Sequence, residues 1–259
     1  MMKSLLHLCL VLVFALAAAL TSHMALAAEN MAVNLAGQQR MLSQRIVKSW
    51  CQIGLNVLPA VSKAQLDDAV RLFESNLKAL DGAAATPEAR NALAGLRAAW
   101  TPLRAAAAGV IRQADAAQLD SRAEDVLMAA ERLTRILQDQ ASEPVSRWVN
   151  LAGRQRMLSQ RLVKLYMLQQ WQVSSATLRD EIERVQHEFA GALASMQQRP
   201  DNSPVLHTEL DNLALQWEWL QTALATEGAV SFRLIMAEGG EAILELADRI
   251  TLLYQQSGR

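Results

Sequence analysis

Cysteine is nearly missing from these 259 residues: there are two, Cys9 and Cys51. Cys9 lies in an apolar run from Leu5 to Leu20, preceded by Lys3 and followed by Ala25-Leu26-Ala27, a small-x-small cleavage pattern. That run is short for a membrane span, which needs about 20 residues, and no lipobox precedes Cys9. The expectation is a cleaved signal peptide over residues 1–27 and an exported, periplasmic product. Cys51 would then be alone, which excludes an internal disulfide and leaves stability to packing.

Histidine is just as scarce. Beyond the leader there are only His187 and His207, in different expected helices, so no paired metal-ligand spacing exists. There is no C-x-x-C-H, no glycine-rich phosphate loop after a strand and no nucleophile elbow. Ser43 and Ser159 have no evident base nearby. These absences exclude the common catalytic, metal and cofactor chemistries, and the reading is a non-enzyme without cofactors. Charge of one sign is lacking too: 25 basic residues face 26 acidic ones, for a formal net charge of −1. Nothing general therefore draws this chain to nucleic acid or an anionic membrane. Any anion site would have to be local.

What the chain has is itself, twice. NLAGQQRMLSQRIVK at 34–48 returns as NLAGRQRMLSQRLVK at 150–164; only Gln38/Arg154 and Ile46/Leu162 differ. The correspondence continues more weakly. Phe73 and Leu77 meet Phe189 and Leu193 at a shift of 116; Leu96 and Trp100 meet Leu213 and Trp217 at 117; ERLT from Glu131 meets DRIT from Asp248. This is a tandem duplication, with units expected over 28–141 and 142–259.

Each unit reads as helix throughout. The matched apolar positions are spaced by threes, fours and sevens, good helix formers dominate, and strand-type alternation is absent. Breakers fall at Pro59, Asp81-Gly82, Thr86-Pro87, Pro144, Ser174-Ser175 and Pro200–Pro204. Four helices per unit with short connections predict an all-α fold of two tandem antiparallel four-helix bundles. Gly239-Gly240 predicts a local bend in the last helix. The Phe73/Phe189 and Trp100/Trp217 pairs read as core anchors.

On a helical wheel the repeated segment shows three stripes. Leu35, Leu42, Ile46 and Ile53 form the core face. Asn34, Gln38, Arg45 and Lys48 look solvated. Arg40 lies in a third stripe of small or weakly polar residues: Ala36, Gly37, Gln44, Val47 and Cys51. Gly37 stands one turn before Arg40, and Gly153 one turn before Arg156, although glycine costs a helix interior about 1 kcal/mol against alanine. A close approach there, by a helix or a ligand, explains the glycine. If the two copies pack about a pseudo-twofold axis, Arg40 faces Arg156. Guanidiniums about 6 Å apart repel by roughly 3 kcal/mol at a dielectric near 20, whereas an anion about 4 Å from each gains roughly 8 kcal/mol. Gln44 and Gln160, one turn further on, are candidate neutral donors to the same anion. In the alternative reading Arg40 pairs with a carboxylate on a neighbouring helix and fixes register. A third arrangement keeps the signature helices in separate bundles that never meet.

The pattern N-x-A-G-x-x-R-M-x-S-x-R, present in both copies, resembles the signature helix of the PilJ/NarX-type sensor domain, shared by pilus-system chemotaxis transducers and nitrate/nitrite sensor kinases. The resemblance covers nearly the whole chain beyond the leader. It implies that Arg40 and Arg156 bind a small inorganic oxyanion, nitrate or nitrite first, with Gly37 and Gly153 at the ligand's backbone wall. It also implies a fused version of a dimer, reporting to a membrane sensor kinase, chemotaxis-type transducer or transporter. Leu35 and Leu151 stand where the nitrate-sensing members carry a lysine. The competing function is a ligand-free scaffold that docks onto a related receptor ectodomain.

Overall fold

In the computed structural model, backbone is described for residues 2–141, 145–173, 177–225 and 230–257, and side chains for 26–141, 145–173, 177–225 and 232–257. Among the described residues eight helices follow one another: α1 (Met2–Gly54), α2 (Pro59–Ala83), α3 (Pro87–Ala107), α4 (Gln113–Gln140), α5 (Val145–Gln170), α6 (Leu178–Gln197), α7 (Pro204–Ala225) and α8 (Val230–Ser257). There is no strand among the described residues. The starts follow their local chemistry. Proline opens α2, α3 and α7, where its missing N–H costs nothing. Thr86 accepts from the Ala89 backbone N–H at 3.2 Å, and Ser203 does the same for Leu206 at 3.3 Å.

One expected break is overturned. Helix α2 runs through Asp81-Gly82 to Ala83, since one glycine in a last turn costs too little to stop it. Helix α8 is unbroken at Gly239-Gly240. Those glycines serve packing instead. A Cβ on Gly239 would stand 2.8 Å from Trp219 and Leu220 of α7, and one on Gly240 would stand 2.5 Å from Val163 of α5. The expected breaks at Pro144 and Ser174-Ser175 lie outside the described residues, as do the side chains of the expected leader up to residue 25. Among the described residues no helix is long and apolar enough to cross a membrane.

Helices α1–α4 form one four-helix bundle and α5–α8 a second. In the first, α1 packs on α2 and α4, and α3 packs on α4; α5, α6, α7 and α8 repeat the scheme. Phe73 stacks on Trp100 with ring centroids 3.9 Å apart, and Phe189 on Trp217 at 3.8 Å. All four rings are buried, as core anchors should be, and truncating one costs about 3–5 kcal/mol. The broadest helix–helix contact joins the bundles: α1 lies along α5, flanked by α4 on α5 and α8 on α1. Both signature helices therefore sit at the centre of the eight.

That position corrects one expectation. The stripe of Asn34, Gln38, Arg45 and Lys48 is not solvated. Lys48 and Asn34 are buried, and the Arg45 side chain is only 18% exposed. Helix α1 is covered by α2, α4 and α5 and touched by α8, so it has no water-facing side over this stretch.

Candidate functional site: an arginine pair at the seam

Arg40 and Arg156 meet where α1 crosses α5. A Cβ built on Gly37 would lie 3.1 Å from Nη2 of Arg40 and 4.0 Å from Nη2 of Arg156. One built on Gly153 would lie 2.9 Å from Nη2 of Arg156 and 3.8 Å from Nη2 of Arg40. Each glycine thus leaves the space in which both guanidinium tips sit. The side chains are 0% and 2% exposed, so two cations share a dry seam.

Their partners repeat about the pseudo-twofold. Within its own bundle, Arg40 donates through Nη1 to Glu131 on α4 at 2.5 Å, and Arg156 through Nη1 to Asp248 on α8 at 2.9 Å. Across the seam, Nη2 of Arg40 donates to Oδ1 of Asn150, and Nη2 of Arg156 to Oδ1 of Asn34, both at 2.6 Å. The asparagines are themselves oriented: Asn150 donates to Gln138 at 2.6 Å and Asn34 to Gln255 at 3.1 Å. Each member stands at the duplication shift from its counterpart.

Burial pushes the pKa of both arginines below the ordinary guanidinium value, while Glu131 and Asp248 pull it back. Burial alone would raise Glu131, but the charges of Arg40, Arg154 and Arg135 hold its carboxyl below the usual range. A guanidinium has five N–H donors, and these two do not use all of theirs. Nε of Arg156 is buried with no hydrogen-bond partner. Nε of Arg40 reaches only the Gly37 carbonyl, at 3.5 Å.

The single difference in this part of the repeat makes the pair unequal. Arg154 stands 3.6 Å from Glu131 and 3.0 Å from Glu188, so it adds a second cation to the Arg40 side. Its counterpart Gln38 accepts from Asn76 instead, at 2.9 Å. Asp248, left to Arg156, is 44% exposed against 27% for Glu131.

One to two turns along, a second layer crosses the seam. Lys48 and Arg45 of α1 both engage Glu241 of α8, Arg45 at 2.6 Å. Symmetrically, Lys164 and Arg161 of α5 engage Glu124 of α4, at 2.7 and 2.9 Å. Lys164 also reaches Asp120 at 2.6 Å. The residue matching Asp120 in the second unit is Ala237, so Lys48 has one carboxylate where Lys164 has two. Gln44 and Gln160 belong to this layer rather than to the arginine pair. Gln44 donates to Ser43 and contacts Glu124; Gln160 donates to the Gly240 carbonyl and contacts Glu241. Cys51 is buried, which pushes its thiol far above the ordinary range.

Of the residues singled out in the sequence, the structure brings together Arg40, Arg156, Gly37 and Gly153. Their carboxylates Glu131 and Asp248 are not among those residues, although they open the matched ERLT and DRIT segments. Asn34, expected on a solvated face, is buried against Arg156. Neither carboxylate could be assigned from spacing, since each lies more than 90 residues from its arginine.

The described residues hold no cluster of three or more His, Cys, Asp or Glu fit for a metal ion. No curated protein and no solved structure matches the chain. One family model does, over residues 26–126 and 139–234, and both matched stretches carry the arginine, its glycine and the following helices. They stop short of Glu131 and Asp248. The family is a sensory one, and its domains are typically periplasmic parts of transducers. Matched twice over, across more than half its length, this chain belongs to the PilJ family, the N-terminal domain of type IV pili methyl-accepting chemotaxis transducers.

Proposed function

We propose that the chain is an exported binding protein for a small oxyanion, nitrate or nitrite first, held between Arg40 and Arg156. Cleavage after Ala27 would release it to the periplasm, where it reports occupancy to a membrane transducer, sensor kinase or transporter. The observation that carries the reading is the paired arginine tips in a dry seam with donors to spare. A buried, unpartnered Arg156 Nε beside a second guanidinium suits a planar anion, which takes parallel N–H donors. The anion would share or displace Glu131 and Asp248, whose carboxylates balance the two cations in its absence.

Thermal melts of the purified chain with nitrate, nitrite, sulfate and chloride test this. A ligand that binds only the folded state at 100 times its Kd adds about 2.7 kcal/mol, which is several degrees for a chain of this size. Nitrate or nitrite should give that shift and chloride should not. Absence of a shift with every anion, or an undiminished shift in Arg156→Lys, sinks the proposal.

The scaffold reading has its own support. Each arginine already has a carboxylate at 2.5–2.9 Å, so both charges are balanced without a ligand. Under that reading the chain co-purifies with a receptor ectodomain equally well with and without nitrate, and Arg156→Lys leaves the complex intact.

A further inference from the structure

On the far side of the arginine pair from the lysine layer, the first bundle contains a cavity of about 680 Å³. It lies between the middle of α1 and the ends of α2 and α4, with Ala32, Leu35, Ala83 and Leu137 among its walls. Gln140 donates to Thr86 Oγ1 at 3.0 Å on its rim. The volume falls within the range of small-molecule sites, about 300–1,000 Å³, and most of the lining is apolar.

The duplication shows what belongs in such a space. At the repeat shifts, Ala32 corresponds to Trp148, Leu137 to Tyr254 and Ala83 to Arg199. In the second bundle these three make one stack. The Trp148 and Tyr254 rings lie nearly parallel with centroids 6.0 Å apart, and the Arg199 guanidinium lies 5.1 and 5.4 Å from them. The Tyr254 hydroxyl is held against Asn202 at 3.2 Å. The first bundle replaces an indole, a phenol and a guanidinium with two methyls and an isobutyl group: Ala32 and Leu137 on the helices that match those of Trp148 and Tyr254, and Ala83 at the end of α2 where Arg199 lies just beyond α6. A space that its twin fills with its own aromatic rings is here left open.

We infer that this cavity is a second binding site, for a neutral planar aromatic molecule of indole or phenol size, seated where the second bundle holds Trp148 and Tyr254. The ligand's flat faces take the alanine and leucine walls. A hydroxyl or N–H at its edge meets Thr86 and Gln140, as the Tyr254 hydroxyl meets Asn202. This site is independent of the arginine pair and does not rest on the oxyanion reading.

Calorimetric titration of the purified chain with indole and with phenol tests the inference. One saturable site per chain is expected. Ala32→Trp, which restores the plug, should weaken binding at least tenfold while the melting temperature holds or rises. Leu137→Tyr should act in the same direction, and it carries the test alone if Ala32→Trp does not fold. A second indole site created by Trp148→Ala would support the equivalence. No saturation by either probe overturns the inference, as does binding that is indifferent to both plugging variants. Decanoate binding that Ala32→Trp blocks, without aromatic binding, also overturns it and makes the occupant a fatty chain.

Discussion

Arg40 of the first unit donates to Asn150 of the second, and Arg156 of the second donates to Asn34 of the first, each at 2.6 Å. The two bonds are crossed ties between bundles, and both end on a buried guanidinium. A hydrogen bond to a charged group contributes about 1.5–3 kcal/mol, and leaving its donor buried and unpaired costs at least as much as a neutral loss. Asn150→Ala and Asn34→Ala should each lower stability by about 2 kcal/mol in urea melts. A double variant within about 0.5 kcal/mol of either single one would show that the two ties break together.

Glycine at 37 and 153 separates stability from binding. Alanine there gains up to about 1 kcal/mol of helix propensity. At 153, however, the new Cβ would sit 2.9 Å from Arg156 Nη2, so the guanidinium tip must move. The tip is the flexible end of a long side chain and can shift cheaply. Gly153→Ala should therefore melt within about 1 kcal/mol of the parent yet lose most of the nitrate-induced shift. Gly37→Ala, where the same contact is 3.1 Å, should lose less. A normal nitrate response in Gly153→Ala would place the anion elsewhere.

The carboxylates compete with an incoming anion, and they are not equivalent. Glu131 is held by Arg40, with Arg154 and Arg135 near, and is the less exposed. Asp248 has Arg156 and more contact with water. Asp248→Asn leaves the buried Arg156 without its counter-charge and should cost about 3 kcal/mol of stability, and it should enlarge the thermal shift given by nitrate. Glu131→Gln should destabilise more and improve binding less. The opposite order would mean that the anion enters from the Arg40 side.

Most of the fold was legible because helices of this kind are written locally. Period gave eight helices, the breakers at Pro59, Thr86-Pro87 and Pro200–Pro204 marked several of their boundaries, and Phe73, Trp100, Phe189 and Trp217 were core residues in both copies. The arginine pair was legible because duplication doubled its signal. Lys48 and Asn34 were misread because a helical wheel assumes one buried face, whereas α1 is packed on several sides by its own bundle and its twin. That second surface exists only in the folded assembly. Glu131 and Asp248 were beyond reach for the same reason, since α4 and α8 meet the signature helices through tertiary packing.

The Lys48–Glu241 pair makes stability depend on pH at both ends of the scale. Burial raises the Glu241 carboxyl, but Lys48 and Arg45 outweigh it and hold it below the ordinary value. A depressed carboxylate contributes stability above its unfolded pKa of about 4.3 and loses it as pH falls through the folded value. The urea midpoint should therefore drop in acid, and less so in Glu241→Gln. Burial pushes Lys48 down to about 8 despite Glu241. Between that value and the unfolded lysine pKa of about 10.4 the unfolded chain binds more protons, so this group's contribution to stability rises with pH. Comparing urea midpoints of the parent and Lys48→Met from pH 7 to 10.5 isolates it. The parent should gain on the variant across that window, and its labelled lysine Nζ should show one site titrating near pH 8. A parent that falls behind Lys48→Met as pH rises would mean that ion pairing, not desolvation, sets the lysine's proton affinity.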